Sequence, residues 1–333
     1  MLVLSQTEVL QAGVDIHEAI RLVEDTFRLA GGGAVECPSR LELAPGGSRR
    51  FHGLAAVVPA HRAIGLRWIA EYPGNRDRCG VPDTTSTLIL NDPDTGEAVC
   101  VMDGSWFSWI RTAAVTAVAA RHLARPDARV LGLIGAGSLA RAVLPALLAV
   151  CPSLERVQVF ARAESSRRRY CEEMASTFPG ELVPGTSARE ATIQTDIVVS
   201  STVDPPAPFL AAEWLAPGVM VAPLEGIAAW ETRLLWVADK FVVDHRLQAA
   251  STLRAQRPGD DLPAPYADLG EVVAHKKPGR EAHAERIVTL ATGHAAADVV
   301  LARAIHDNAL MRGLGTRLDL RGPMPSAPAR WGT

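Results

Sequence analysis

No stretch of this sequence sustains positive charge. Arg167, Arg168 and Arg169 form its densest cationic run, and the 333 residues carry a net charge of −3. Nucleic acid calls for a broad basic footprint on its partner, so that class is set aside. Cysteine is sparse as well. Cys37, Cys79, Cys100, Cys151 and Cys171 are scattered, odd in number and without a Cys-x-x-Cys spacing, which argues against a disulfide framework or a zinc site and suits reduced thiols in a cytoplasm. No run of about eighteen apolar residues is free of charges and helix breakers, so a membrane-spanning helix is not expected. Residues 1–13 lack the basic and long apolar segments of a secretory signal.

What is present is a globular composition, 48% hydrophobic and 21% charged, on a chain long enough for two domains of about 100–200 residues each. Residues 5–11 and 16–29 read as a capped helix pair closed by Gly31-Gly32-Gly33. From about residue 36 to 102 short alternating or apolar runs (51–58, 63–69, 86–90) are punctuated by turn signals such as Pro73-Gly74-Asn75 and Asp92-Pro93-Asp94. This part is expected to be α+β, with an antiparallel or mixed sheet. An alanine-rich helix follows over 106–123, and strands then alternate with helices: 130–134, 139–150, 156–160, 165–178, 197–201, 219–221 and 241–243. That alternation predicts a parallel, doubly wound sheet. Residues 256–265 read as a loop and 295–311 as a final helix that returns to the first part. The fold class is therefore α/β: an α+β first domain over 1–126, completed by 295–320, a Rossmann-type domain over 127–294, and a loose tail over 321–333.

The clearest chemical signal is the strand Val130–Ile134 running through Gly135-Ala136-Gly137-Ser138-Leu139-Ala140 directly into a helix. Gly135 permits the tight turn, Gly137 lets the backbone approach a pyrophosphate, and Ala140 keeps helix and strand close, with the helix N-terminus facing the negative charge. A second strand follows about 20 residues on. It ends in Ala161-Arg162, where NAD enzymes often place a carboxylate on the ribose hydroxyls, and Ser165, Ser166 and Arg167 are close behind. An arginine there accommodates a 2′-phosphate, so NADP is expected to be somewhat preferred over NAD.

The run Ile110-Arg111-Thr112-Ala113-Ala114 with its alanine-rich continuation, the segment Gly65-Leu66-Arg67-Trp68-Ile69 before Pro73-Gly74-Asn75, and the hairpin Leu90-Asn91-Asp92 to Gly96 together resemble the ornithine cyclodeaminase and mu-crystallin family, over roughly residues 5–312. The resemblance implies a homodimer in which residues 1–126 with 295–320 form the substrate and dimerisation domain beside a central dinucleotide domain, with a small amino or imino acid as substrate. It implies that Arg40 and Arg111 hold the substrate carboxylate, a task suited to a planar, permanently charged fork. It also implies that Arg111, Thr112, Ser138, Leu139, Thr202 and Leu224 border the cofactor, beside Gly135, Gly137 and Arg162. Two departures stand out: the family's catalytic lysine falls at Arg67 and its catalytic aspartate at Ile227. Arginine does not serve as a proton acceptor at ordinary pH, so Arg67 is read as orienting a carboxylate or stabilising negative charge. One branch of the family also lacks the aspartate, the dehydrogenase that cleaves N-(2-amino-2-carboxyethyl)-L-glutamate in siderophore and antibiotic pathways. Residues 74–96 and 224–227 resemble that branch.

Some other group must then handle protons. The candidates are Glu225, after an apolar strand at the ligand-binding edge of the sheet; His294, whose unperturbed ring titrates near neutrality; and, with weaker claims, Glu71 and His52. Three functional readings follow: an NAD(P)-dependent dehydrogenase or imine reductase for an α-amino acid or N-substituted amino acid, a cyclodeaminase using a substitute acid, and a non-catalytic crystallin-like NADP-binding protein. No grouping with metal-ligand spacing is seen.

Overall fold

A computed structural model describes residues 1–203, 205–320 and 322. The chain runs β1 (Leu2–Leu4), α1 (Gln6–Ala12), α2 (Ile16–Gly32), β2 (Leu41–Gly46), β3 (Arg49–Val58), β4 (Ala63–Glu71), α3 (Asn75–Cys79), β5 (Thr84–Asn91), β6 (Ala98–Asp103) and α4 (Phe107–Leu123). It continues through β7 (Val130–Ile134), α5 (Ser138–Leu148), β8 (Arg156–Phe160), α6 (Glu164–Met174), β9 (Glu181–Pro184), β10 (Ile197–Ser200), β11 (Met220–Pro223), α7 (Arg233–Trp236), β12 (Lys240–Val243), α8 (Arg246–Gln256), β13 (Ala267–Asp268), α9 (Leu269–Val273), β14 (Ile287–Leu290), α10 (Ala295–Arg312) and β15 (Thr316–Arg317).

Two sheets result. The first has the order β15-β1-β6-β5-β4-β3-β2 and is mixed, because β1 runs parallel to β6 while the other pairs are antiparallel. Alternation along its strands separates two faces. Leu54, Ala56, Val58, Ala63, Leu88, Leu90, Cys100 and Met102 are buried on the face where α10 lies, Gly65 being close to Val299 of that helix. The residues that point the other way, among them Phe51, Ile64, Leu66, Trp68, Ile89 and Val101, are only half-buried.

The second sheet is wholly parallel, in the order β13-β12-β14-β11-β10-β7-β8-β9. Its strands are apolar at nearly every position because both faces are covered. Ile197 and Val199 belong to the core shared with the first sheet, whereas Val198, Val221 and Val243 belong to a second core with Trp230 and Leu234. The strand order turns back between β7 and β10, the crevice where such sheets bind ligands. The final helix does return to the first part, packing on β3, β4, β5 and α2.

Several expectations shift in detail. The strands β1, β2, β6, β9, β13, β14 and β15 are additions to the sequence reading; most are short or carry polar residues that blur their periodicity. The expected tail over 321–333 lies outside the described residues apart from Gly322. The glycine run after residue 30 does close α2, at its last member: Gly31 and Gly32 are helical, and Gly33, at φ +82°, is the C-cap. Gly31 is required by contact instead. A Cβ there would stand 1.9 Å from the carbonyl oxygen of Gly270 in α9, so α2 and α9 cross backbone to backbone and brace the first part of the chain against the second. A Cβ on Gly32 meets nothing within 4 Å. Gly31→Ala should therefore destabilise the protein by about 1–3 kcal/mol, the cost of overpacking. Gly32→Ala should be neutral or stabilising by up to about 1 kcal/mol. Urea unfolding of both variants checks the contrast, which fails if the two respond alike.

Candidate functional site

The cleft arises from the register of the first sheet. His52 lies opposite Glu42 and Ile69, Ile69 opposite Ser86, and Arg67 opposite Leu54 and Leu88. Glu42, His52, Arg67, Glu71 and Ser86 therefore share the face whose apolar end α10 covers. Their polar end faces the C-terminal edge of the second sheet. There a cavity of about 390 Å³ is lined by Arg40, Arg50, His52 and Glu71 on one wall and by Leu224, Glu225 and Thr292 on the other.

The dinucleotide turn has the features its sequence calls for. Gly135 adopts φ +113°, and a Cβ on it would stand 2.6 Å from the carbonyl oxygen of Ser201, the residue after β10. In front of Gly137 a Cβ meets nothing within 4 Å, and α5 begins at Ser138 without a side-chain cap, so its first amides face open space. Arg141 reaches back to the carbonyl oxygens of Ala136 (2.5 Å) and Gly137 (3.1 Å) and stiffens the turn. At the end of β8, Arg162 is exposed, while Arg167 donates to the Ala161 carbonyl oxygen at 2.9 Å and lies over the Phe160 ring. The Thr202 hydroxyl, past the end of β10, is buried without a hydrogen-bond partner. This chain's residues therefore fit a dinucleotide laid across β7, β10 and β11.

Deeper in, Arg67 has no exposed surface and does not line the cavity. It donates to Ser86 Oγ (3.2 Å) and the Gly104 carbonyl oxygen (3.1 Å), bonds to Ser108 Oγ, and lies 3.4 Å from Asp298 Oδ1. The Nε of Arg111 is 3.0 Å from the same oxygen, a close ion pair that is not aligned as a hydrogen bond. Two buried guanidinium groups thus share one buried carboxylate, with Asp103 within electrostatic reach of Arg67 and Asp244 within reach of Arg111. The sequence reading omitted Asp298. Its signal was a lone acid among Ala295, Ala296, Ala297, Val299 and Val300, where a carboxylate needs a partner. Thr112 is buried beside Arg111 on α4.

Arg40 bonds through Nε to Glu42, which also accepts from Ser251 of α8 at 3.2 Å, tying β2 to the second sheet's helices. His294, the N-cap residue of α10, is wholly buried, with its ring edge-on to Phe27 and His245 at centroid distances of 5.1 and 5.5 Å. Burial, helped by His245 and Arg111, pushes it down to about 3, so its ring is neutral near pH 7 and does not titrate there as its unperturbed value would suggest. Ile227 points into the second apolar core, with no exposed surface. Glu71 does not pair with an arginine; His52 Nε2 lies 3.3 Å from its Oε2. Also absent from the sequence reading is Asp244, at the end of β12, which accepts from Thr292 and Gly293 and fixes the loop before α10. Among the described residues no group of His, Cys, Asp or Glu side chains could hold a metal ion, and no helix is long and apolar enough to cross a membrane.

Glu225 is the perturbed acid. Burial pushes its carboxyl up to about 7; Ser200 and Thr202 beside it pull it back, yet neither oxygen makes a well-aligned hydrogen bond. The native state therefore retains a proton that the unfolded chain has lost above its ordinary value near 4.5. Stability from this group is present below about pH 4.5 and declines as pH rises through about 7. The loss should be on the order of 3 kcal/mol between pH 4.5 and 8, and Glu225→Gln should remove it. Urea unfolding of parent and variant at both pH values measures the difference; parallel pH profiles would refute the assignment.

A sequence profile of the ornithine cyclodeaminase/mu-crystallin family matches residues 1–313. The alanine dehydrogenase of Archaeoglobus fulgidus is 31% identical, over 95% of this chain and 98% of its own. A nodulation efficiency protein of Rhizobium meliloti is 30% identical, over 94% and 97%. The N-((2S)-2-amino-2-carboxyethyl)-L-glutamate dehydrogenase of Staphylococcus aureus is 29% identical, over 78% and 79%. Among solved structures, the Δ1-pyrroline-2-carboxylate reductase of Thermococcus litoralis, in complex with NADH and L-proline, superposes with a TM-score of 0.88 at 27% identity, covering 96% of this chain and all of that one. An archaeal alanine dehydrogenase dimer with bound NAD gives 0.86 at 29% identity, covering 96% and 99%. On its sequence profile and on its relatives alike, this chain belongs to the ornithine cyclodeaminase/mu-crystallin family.

Proposed function

We propose that this protein is an NAD(P)-dependent oxidoreductase acting on the CH–NH or CH–NH2 group of a small α-amino acid or N-substituted amino acid. The observation that carries the reading is a glycine turn open to a dinucleotide, in a chain whose buried arginine pair, Arg67 and Arg111, shares one carboxylate. Its relatives include dehydrogenases and reductases of amino and imino acids. A bound nicotinamide supplies hydride exchange with the substrate Cα. Residues 127–294 would form the dinucleotide domain, with Gly135, Gly137, Ser138, Leu139, Thr202 and Leu224 along the cofactor. Residues 1–126 with 295–320 would form the substrate and dimerisation domain.

Arg111, paired with Asp298 and not itself in the cavity lining, is the carboxylate clamp, with Arg40 in the cavity wall. Arg67 acts beneath them, holding Asp298 and through it Arg111. Glu225 is the proton-handling group, whereas His294, neutral and enclosed beside His245 and Phe27, lines a different cavity. The position of Ile227 in the apolar core disfavours a cyclodeaminase, since an acid there would turn away from the cleft. The half-buried apolar face of the first sheet, around Phe51, Leu66 and Trp68, supports a homodimer, and the free thiols suit a cytoplasmic protein.

Arg111→Ala should raise the dissociation constant of a carboxylate substrate by an amount equivalent to about 2–5 kcal/mol, the scale for one partner of a buried charge pair. The cofactor and the fold should remain. Unchanged kinetics in this variant would remove Arg111 from the site. Arg67→Lys should also lower kcat/KM, because an ammonium cannot span Ser86, Ser108 and Asp298 as the guanidinium does; a variant as fast as the parent would show Arg67 to be dispensable.

Arg162 and Arg167 at the end of β8 support a preference for NADP over NAD. Fluorescence titration should show tighter binding of NADPH than of NADH. Arg162→Ala should weaken NADPH by about 10–100-fold, the worth of a charge-assisted hydrogen bond, and leave NADH unaffected. Equal affinities in the parent would overturn the preference.

A further inference from the structure

Two carboxyl groups line opposite walls of one cavity, and their surroundings are opposite in kind. Glu225 stands at the edge of the second sheet, enclosed, without a well-aligned hydrogen bond. Glu71 ends β4 on the first sheet with 47% of its side chain exposed. His52 sits diagonally across the β3–β4 pair, opposite Ile69, and brings its Nε2 to 3.3 Å from Glu71 Oε2. The other ring nitrogen of His52 is buried and accepts no hydrogen bond, so the ring can keep its proton on the Glu71 side. His52 first, and Arg40 and Arg50 at longer range, hold Glu71 below the usual carboxylate range, while burial drives Glu225 above it. When two carboxyl groups at one site are driven apart in this way, one serves as acid and the other as base.

We propose that Glu71 is the base that activates water to hydrolyse an imine formed in this cleft, and that His52 is the residue that positions it. The proposal rests on the oxidoreductase reading above and extends it to a direction and a product class: a primary amino acid taken to its 2-oxo acid, with ammonia released. Oxidation at Cα leaves a C=N bond. Water then adds to that carbon, Glu71 takes one proton from the water, and the π electrons of C=N move to nitrogen. The proton passes to nitrogen to give a carbinolamine; the hydroxyl then gives its remaining proton to Glu71, that second proton also passes to nitrogen, and the C–N bond breaks as C=O forms and ammonia leaves. Imine and water become oxo acid and ammonia, with no further oxidant. Glu225, across the cavity, is placed to carry the proton to nitrogen. A ring amine such as L-proline yields a cyclic imine that needs no such step, and this supplies an internal control.

The experiment follows NAD(P)H formation and ammonia release separately in the parent, Glu71→Gln and His52→Gln, with L-alanine, L-aspartate and L-proline as probes. With a primary amino acid the parent should release ammonia in step with reduced cofactor. Glu71→Gln should keep its first turnover of reduced cofactor within about threefold of the parent and then slow at least about 100-fold, the scale of lost acid–base catalysis, with ammonia lagging. Borodeuteride should trap the retained imine as deuterated amino acid. L-Proline oxidation should stay within about threefold. His52→Gln should show a smaller loss of the same form. Ammonia release that survives in Glu71→Gln, or a loss shared equally by the first turnover and by L-proline, would overturn the role given to Glu71. A parent that oxidises L-proline alone would also overturn it, while leaving the oxidoreductase reading in place. A parent that reduces neither cofactor with any probe would overturn that reading itself.

Discussion

One buried carboxylate organises the centre of this protein. Asp298 of α10 lies within 3.4 Å of Arg67 and 3.0 Å of Arg111, and neither it nor Arg67 has any exposed surface. Removing it would leave two guanidinium groups buried against each other, a disruption on the scale of 3–5 kcal/mol for a broken buried pair. Through this contact α10 is seated on the first sheet, and its N-terminus and preceding loop are carried to the edge of the second. Asp244 anchors that loop from the other side. The cleft is therefore a consequence of ion pairing at depth as much as of apolar packing.

Sheet geometry decides which charges reach the ligand. One face of the first sheet is apolar where α10 covers it and polar where it passes the helix. Arg67 falls at the boundary, so its donors are spent on Ser86, Ser108, Gly104 and Asp298. His52 and Glu71 lie beyond the boundary and line the cavity. An arginine suits the boundary position because it stays charged where burial lowers the pKa of any cation. That same property makes it a poor proton acceptor.

Relatives of this chain oxidise or reduce amino and imino acids, and they share its fold over nearly the whole length. Ile227 is turned into the apolar core, whereas two residues earlier Glu225, whose carboxyl burial pushes up to about 7, lines the cavity. Two positions along an irregular loop are enough to separate a side chain that lines the cavity from one enclosed in the core.

Much of this was legible in the sequence. The strand Val130–Ile134, Gly135, Gly137 and the helix behind them declare the dinucleotide turn, because only glycine tolerates φ +113° beside Ser201 and leaves open space before the helix N-terminus. The alanine-rich α4 carrying Arg111 and the alternating second half likewise follow from local pattern. Tertiary structure decided the rest. Whether Gly31 ends a helix or lets two helices touch depends on Gly270, some 240 residues away. Whether Glu71 pairs with an arginine or with His52 depends on strand register. The pairing of Arg67 with Asp298 joins residues 231 apart in the chain, and the neutrality of His294 comes from burial among Phe27, His245 and Arg111. Sequence fixes what a segment can do by itself, whereas burial and charge pairing belong to partners that meet only when the chain has folded.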